Sequence, residues 1–206
     1  MGQLLADLRY AVRALLRNPG FALVVILTLG LGIGANTAIF TLLDQVLLRP
    51  LPVLAPHELA LLDGPGPFSG RTENEKTFSY PMYRDLRDRT GEAFATVMAR
   101  YGTSVSLSFQ KATELVNVEM VSGNYFQGLG IKPALGRVLT PEDDVTPGGH
   151  PVLVLSHGAW QRRFGGDPQI VGRVLRVNAT PMTVLGVAQP GFGGIEVGRA
   201  AELFLP

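Results

Sequence analysis

The sequence predicts an α+β protein, one N-terminal transmembrane helix followed by a mixed α/β domain on the far side of the membrane. Three observations carry this. From Asn18 to Leu43 no side chain bears a formal charge. Two later stretches, Ser104–Phe109 and Val116–Met120, alternate apolar and polar residues as half-buried strands do. Twice, a strand-like run reaches a serine, enters a short segment bearing aromatic residues and stops at glycine: VEMVSGNYFQG from Val118 and VLVLSHGAWQRRFGG from Val152. Two strand–helix units sharing one mixed sheet follow from that echo.

The chain divides into a basic leader, 1–18, a membrane helix, 19–48, and a domain, 49–206. In the leader Leu4, Leu5, Leu8, Val12, Leu15 and Leu16 recur at helical spacing, with Arg9, Arg13 and Arg17 four apart on another face. Such a helix lies in the headgroup layer or packs on a protein. A span needs about 20 apolar residues to cross a hydrocarbon core of about 30 Å. Pro19 to Leu43 meets that, with only Thr28, Asn36, Thr37 and Thr41 as polar side chains. A buried core helix of this length would show a polar stripe. Phe21–Leu31 followed by Gly32-Ile33-Gly34 also fits a cleaved signal, but apolar character resumes at Ala38 and continues to Leu48. Arg9, Arg13 and Arg17 precede the span and Arg49 alone closely follows it, so residues 1–18 are expected in the cytoplasm and the domain outside. Gly30, Gly34 and Ala38 form a small-residue face on which a second helix can pack.

Beyond the span, 49–77 reads as a linker and irregular lead-in, with Pro50, Pro52, Pro56 and the run Gly64-Pro65-Gly66-Pro67; Glu58–Leu62 is a candidate early strand. Ser79 caps a helix that has Pro81 in its first turn, puts Tyr83 and Leu86 on one face and closes at Gly91. Phe94–Arg100 is expected to be a strand, and Gln110–Thr113 joins the two alternating strands. Ser122 caps a short helix through Tyr125 and Phe126 to Gly128. Val152–Leu155 is a strand buried on both faces. Ser156 caps a helix containing Trp160 and Phe164 that Gly165-Gly166 stops, and Arg173–Val177 with Met182–Val187 makes a hairpin around Asn178-Ala179-Thr180.

The composition excludes several classes of function. Net charge is +1 and mean hydropathy +0.22, the latter high for a soluble chain, and the balance gives no sign of nucleic acid. There is no cysteine, hence no disulfide and no thiolate metal site. Ser156 in VLSHG lacks the glycine that a nucleophile elbow needs at position 154, and reads as a helix cap. GFGGIE, Gly191–Glu196, has glutamate where a dinucleotide loop needs glycine or alanine. PEDD, Pro141–Asp144, lacks the alternate ligands of a calcium loop and reads as a solvated helix start or turn. His57, His150 and His157 lack metal-ligand spacing, and no Walker loop occurs. No catalysis, cofactor or metal is expected.

With these features in order, LRYAVRALLRNPGF and LTLGLGIGANTAIFTLLDQVLLRPLP resemble the N-terminal helix and first transmembrane helix of MacB/FtsX-type ABC transporter permeases. SYPMYRDLRDR, VSGNYFQGLGIKPALGRVLTPEDD, VLSHGAWQRRFGGDPQIVGRVLRVN and TVLGVAQPGF resemble stretches of the MacB-like periplasmic core domain of that family. The resemblance implies a non-catalytic permease subunit in the bacterial inner membrane that works with a cytoplasmic ABC ATPase, pairs with a like or unlike permease and meets periplasmic adaptors. Such permeases carry at least three further spans after this domain, so the chain, stopping at ELFLP, is expected to be an N-terminal piece. Two other readings remain open: a single-span membrane-anchored periplasmic binding or scaffold protein, and an exported hydrolase using Ser156.

Overall fold

The computed structural model describes residues 10, 13, 15–44, 51–62, 78–91, 93–109, 112–196 and 198–206. They fall into two compact units, Met1–Arg49 and Pro50–Pro206.

In the first unit α1 is the 25-residue helix Pro19–Leu43. The chain breaks helical geometry at Asn18 (φ −126°, ψ 71°), and Pro19 restarts it at the position where its missing N–H is harmless. Residues Pro19–Thr41 are long and apolar enough to cross a membrane, and none of that stretch is buried by the rest of the chain. The threonines, which would otherwise present bare hydroxyls to hydrocarbon, fold back on the helix: Thr28 donates to Val24 O at 2.8 Å, Thr37 to Ile33 O at 2.8 Å and Thr41 to Thr37 O at 2.7 Å. The expected amphipathic leader falls largely outside the described residues, as does the expected end of the span beyond Asp44.

In the second unit α2, Tyr80–Arg89, begins where Ser79 accepts from the Met82 amide. Then follow β1 Arg100–Phe109, β2 Ala112–Val121, α3 Tyr125–Gly128, β3 Pro133–Gly136, β4 Val152–Leu155, α4 His157–Phe164, β5 Val174–Val177, β6 Thr180–Ala188 and β7 Leu203–Leu205. The strand order is β3-β6-β4-β7-β2-β1-β5, and β5 pairs again with β6, so six strands close on themselves. β4–β6 and β2–β7 are parallel and the other pairs antiparallel. This is the mixed sheet expected. β3 meets β6 around a bulge, and Gly186 faces both Gly136 and Val154 in the register.

Both faces of this sheet are covered. One carries Val105, Leu107, Val116, Val118, Leu153, Leu155, Leu175 and Leu203 against Phe164 and Ile170. The other carries Val121, Val154, Ala188 and Phe204 against Tyr125, Phe126, Leu129 and Phe192. The two serine-led helices therefore serve opposite faces, and β7 separates their parent strands. Phe126 and Phe204 meet edge to face with centroids 5.2 Å apart, a favoured aromatic arrangement.

Several expectations need correction. Residues 58–62 are not a strand: Ala55 sits at φ 45°, Pro56–Glu58 forms a 3₁₀ turn, and 59–62 pair with no strand among the described residues. The strand expected over Phe94–Arg100 begins only at Arg100. Before it, one more backbone bond runs from the Ser122 amide to Ala99 O at 3.0 Å, and side chains then take over, with the Ala99 amide donating to Ser122 Oγ at 3.0 Å and Asn124 Nδ2 to Val97 O at 2.9 Å. Ser122 is thereby spent, and Asn124, not Ser122, stands at the N-cap of α3. Pro133–Gly136, unassigned in the sequence, is a strand held at the outside of β6. PEDD is a 3₁₀ turn with a capping box between Thr140 and Asp143, and Asp143 is buried, not solvated.

Candidate functional site

Of the leader arginines singled out by sequence, Arg13 and Arg17 are helical and exposed; Arg9 lies outside the described residues. Gly30, Gly34 and Ala38 lie along α1 at four-residue intervals, all exposed, and no atom comes within 4 Å of where a β-carbon on Gly30 or Gly34 would sit. The face carries no side chain larger than a methyl, and nothing among the described residues covers it.

In the second unit Ser156 caps α4. Its Oγ accepts from the Ala159 amide at 3.3 Å, and the neighbouring His157 ring stands edge-on to Trp160 with centroids 5.3 Å apart. A cap of this kind stabilises a helix by about 1 kcal/mol. Gly165 closes α4 at φ 63°, where a β-carbon would be strained. The described residues contain no group of three or more histidine and acidic side chains able to hold a metal.

The chemistry that sequence reasoning missed lies at Glu119. Alternation along β2 assigns it to solvent, yet its side chain is 4% exposed. It stands opposite Gly102 on β1, on the face that the aromatic cluster covers. Arg100 Nη1 bridges Glu119 Oε1 and Glu196 Oε2, each at 3.1 Å, and the Tyr125 hydroxyl donates to Glu119 Oε2 at 3.0 Å. Burial raises the Glu119 carboxyl above the usual glutamate range, with Tyr125 and Arg100 pulling it back. Burial, and then Glu119, push the Tyr125 phenol up strongly. Gly194, at φ 97°, lets the GFGGIE segment lie on this cluster; a β-carbon there would be 2.5 Å from Glu119 Oε2. GFGGIE is thus a lid over a buried ion network, without the helix a dinucleotide would need. The arrangement fixes the lid to the sheet.

Two further ion clusters tie elements together. Arg137 grips Asp143 with Nη1 at 2.6 Å and Nη2 at 2.8 Å. Arg163 on α4 pairs with Glu202, ahead of β7, and with Glu114 on β2.

The segment entering this unit is no free linker. The Leu54 amide donates to Leu129 O at 2.8 Å, and Val53 and Leu59 pack on the aromatic cluster. The Gln189 side chain donates through Nε2 to Pro52 O at 3.0 Å and accepts through Oε1 from the Lys132 amide at 3.1 Å.

Comparison with known proteins places this geometry. The family model described as the MacB-like periplasmic core domain matches residues 22–206. The macrolide export ATP-binding/permease protein MacB of Hahella chejuensis is 31% identical over 94 residues, covering 44% of this chain and 14% of that protein. The periplasmic region of MacB from Actinobacillus actinomycetemcomitans shares the fold with a TM-score of 0.53 at 20% identity, over 70% of this chain and 62% of that one. The extracellular domain of the noncanonic ABC-type transporter YknZ from Gram-positive bacteria does so with a TM-score of 0.51 at 18% identity, over 63% and 62%. The present chain thus spans a small part of the curated relative's length.

Proposed function

Since this chain belongs to the family of MacB-like periplasmic core domains, with the match running from inside α1 through β7, we propose that it works in an ABC-type transporter permease that turns ATP hydrolysis into movement outside the membrane. An apolar helix followed by such a domain fits an inner-membrane protein. The observation that carries the reading is the joining of the two: a helix able to span, and a domain whose entering residues, from Pro52, are already pinned to it.

In this reading the permease is non-catalytic. A cytoplasmic ABC ATPase supplies the energy, and a second permease, like or unlike, packs on the Gly30, Gly34 and Ala38 face. The lipid bilayer holds α1, a periplasmic adaptor extends the outer domain, and nucleic acid has no part. Arg9, Arg13 and Arg17 hold the N-terminus in the cytoplasm, and the domain stands in the periplasm.

Two measurements test this. Because the chain has no cysteine, Val145→Cys, at a position 71% exposed, reports topology without background. A membrane-impermeant maleimide should label it in intact spheroplasts; labelling only after lysis would invert the orientation. Detergent extracts of the natural host's membranes should carry magnesium-dependent ATP hydrolysis through purification on the tagged protein, and a preparation without any nucleotide-binding subunit would overturn the transporter reading.

A further inference from the structure

We propose that Gln189 is a positioning residue that couples the segment entering the domain, 51–59, to the lid, 189–196 and 198–201, so that a displacement passed on from the membrane helix reaches that lid. The coupling role rests on the transporter reading above; the pin itself does not.

Gln189 follows the last residue of β6. Its backbone amide donates to Lys132 O at 3.0 Å and so extends the β3–β6 ladder by one bond past Pro133–Ala188. The side chain continues in the same direction, taking the Lys132 amide on Oε1 and giving Nε2 to Pro52 O. Only this amide orientation satisfies both partners, since the flipped one sets oxygen against the Pro52 carbonyl and NH2 against an N–H. One residue therefore joins the entering chain, the sheet edge and the start of the lid.

The neighbouring contacts make the entering chain stiff. The Leu54 amide is bonded to Leu129 O, and Gly130, at φ 67°, lets Leu54 lie so close that a β-carbon there would be 2.7 Å from Leu54 Cβ. Ala55 turns at φ 45° into Pro56, whose ring fixes the next dihedral. On the other side, Phe192 is buried in the aromatic cluster, the Ala201 amide closes the lid on Gly193 O at 2.7 Å, and Glu196 reaches Arg100. A pull on Pro52 thus meets Gln189, and beyond it a lid held at three points.

The variant that isolates the pin is Gln189→Glu, which keeps shape and the Oε1 acceptor but removes the donor to Pro52. In lipid nanodiscs, hydrogen exchange of the full chain should show the Leu54 amide losing protection roughly fivefold, the worth of about one net hydrogen bond, with the β4 amides unchanged. Unchanged Leu54 protection overturns the pin. Coupling is read by changing the lipid chain length, because hydrophobic mismatch tilts a span. In the native protein, protection of the Ala201 amide should differ between short-chain and long-chain nanodiscs, and Gln189→Glu should abolish that difference. A native protein whose Ala201 amide ignores bilayer thickness overturns the coupling even if the pin holds. Neither readout requires the ATPase, so loss of the transporter reading through absent ATP hydrolysis is scored separately.

Discussion

Asn178 and Ser106 bond each other twice: the Ser106 amide donates to Asn178 Oδ1 at 2.9 Å, and the Asn178 amide donates to Ser106 O at 2.8 Å. They lie next to Leu107–Val177 and Ser108–Arg176, the two register pairs by which β5 meets β1. Asn178 and Ala179 have φ of 47° and 67°, as the two central residues of a tight hairpin turn require. The asparagine thus shapes the turn and also lengthens the seam that closes the sheet.

Replacing it separates the two roles. Asn178→Gly keeps the left-handed backbone but leaves the Ser106 amide without its acceptor, a cost of about 1 kcal/mol. Asn178→Ala adds about 1 kcal/mol or more of backbone strain, and Asn178→Asp should stay close to native. Denaturant midpoints of the full chain in detergent should rank Asp, Gly and Ala in that order; a glycine variant as stable as the native chain would remove the bonding role.

The Arg137–Asp143 pair predicts an acid-sensitive step. Hydrogen bonds from Arg137 hold the Asp143 carboxyl at about 2, below its ordinary 3.8. A carboxylate with a depressed pKa stabilises the fold above its unfolded value, and that contribution disappears as pH falls from about 4 to about 2. Asp143→Asn should cost about 1–2 kcal/mol at neutral pH and converge on the native chain near pH 2. Parallel stability curves across that range would sink the assignment.

Tyr125→Phe removes the hydroxyl that serves buried Glu119 and nothing else of the ring's packing. A hydrogen bond to a charged group is worth about 1.5–3 kcal/mol, and the loss should fall sharply in a Glu119→Gln background. A double-mutant cycle measures this; additive effects would show that the two side chains are independent.

On α1, Gly34→Leu should weaken association between labelled copies in vesicles, read by energy transfer, because bulk on the glycine face keeps a neighbour away. Gly32→Leu adds the same bulk two residues off that face and should leave association intact. Equal effects of the two would place the contact elsewhere.

Much of the fold was legible in the sequence where a local signal and the tertiary context agree. Val152–Leu155, the Ser156 cap, the Gly165 stop and the Asn178-Ala179 turn all read correctly, because apolar continuity, cap chemistry and left-handed backbone are properties of a few adjacent residues. The Ser79-capped helix read correctly for the same reason. Glu119 did not, because alternation assumes one wet face, and the second face here is roofed by α3 and the glycine-rich lid some seventy positions later in the chain (Gly191–Glu196). The only hint was a glycine cluster with no helix after it. β3 was hidden because Pro133-Ala134-Leu135-Gly136 has no period, and its strand state comes from β6. Gln189 carried no signal: a lone glutamine after a strand gains its meaning from Pro52, far away in sequence.

With Thr28, Thr37 and Thr41 all bonded to their own helix, Asn36 is left as the one polar side chain along Pro19–Leu43 with no such bond among the described residues. Contacts made by the rest of the surface are dispersive, and dispersion has little directional preference. Asn36 is thus the one side chain of this helix able to give a neighbour a directional hydrogen bond, at a position off the glycine face.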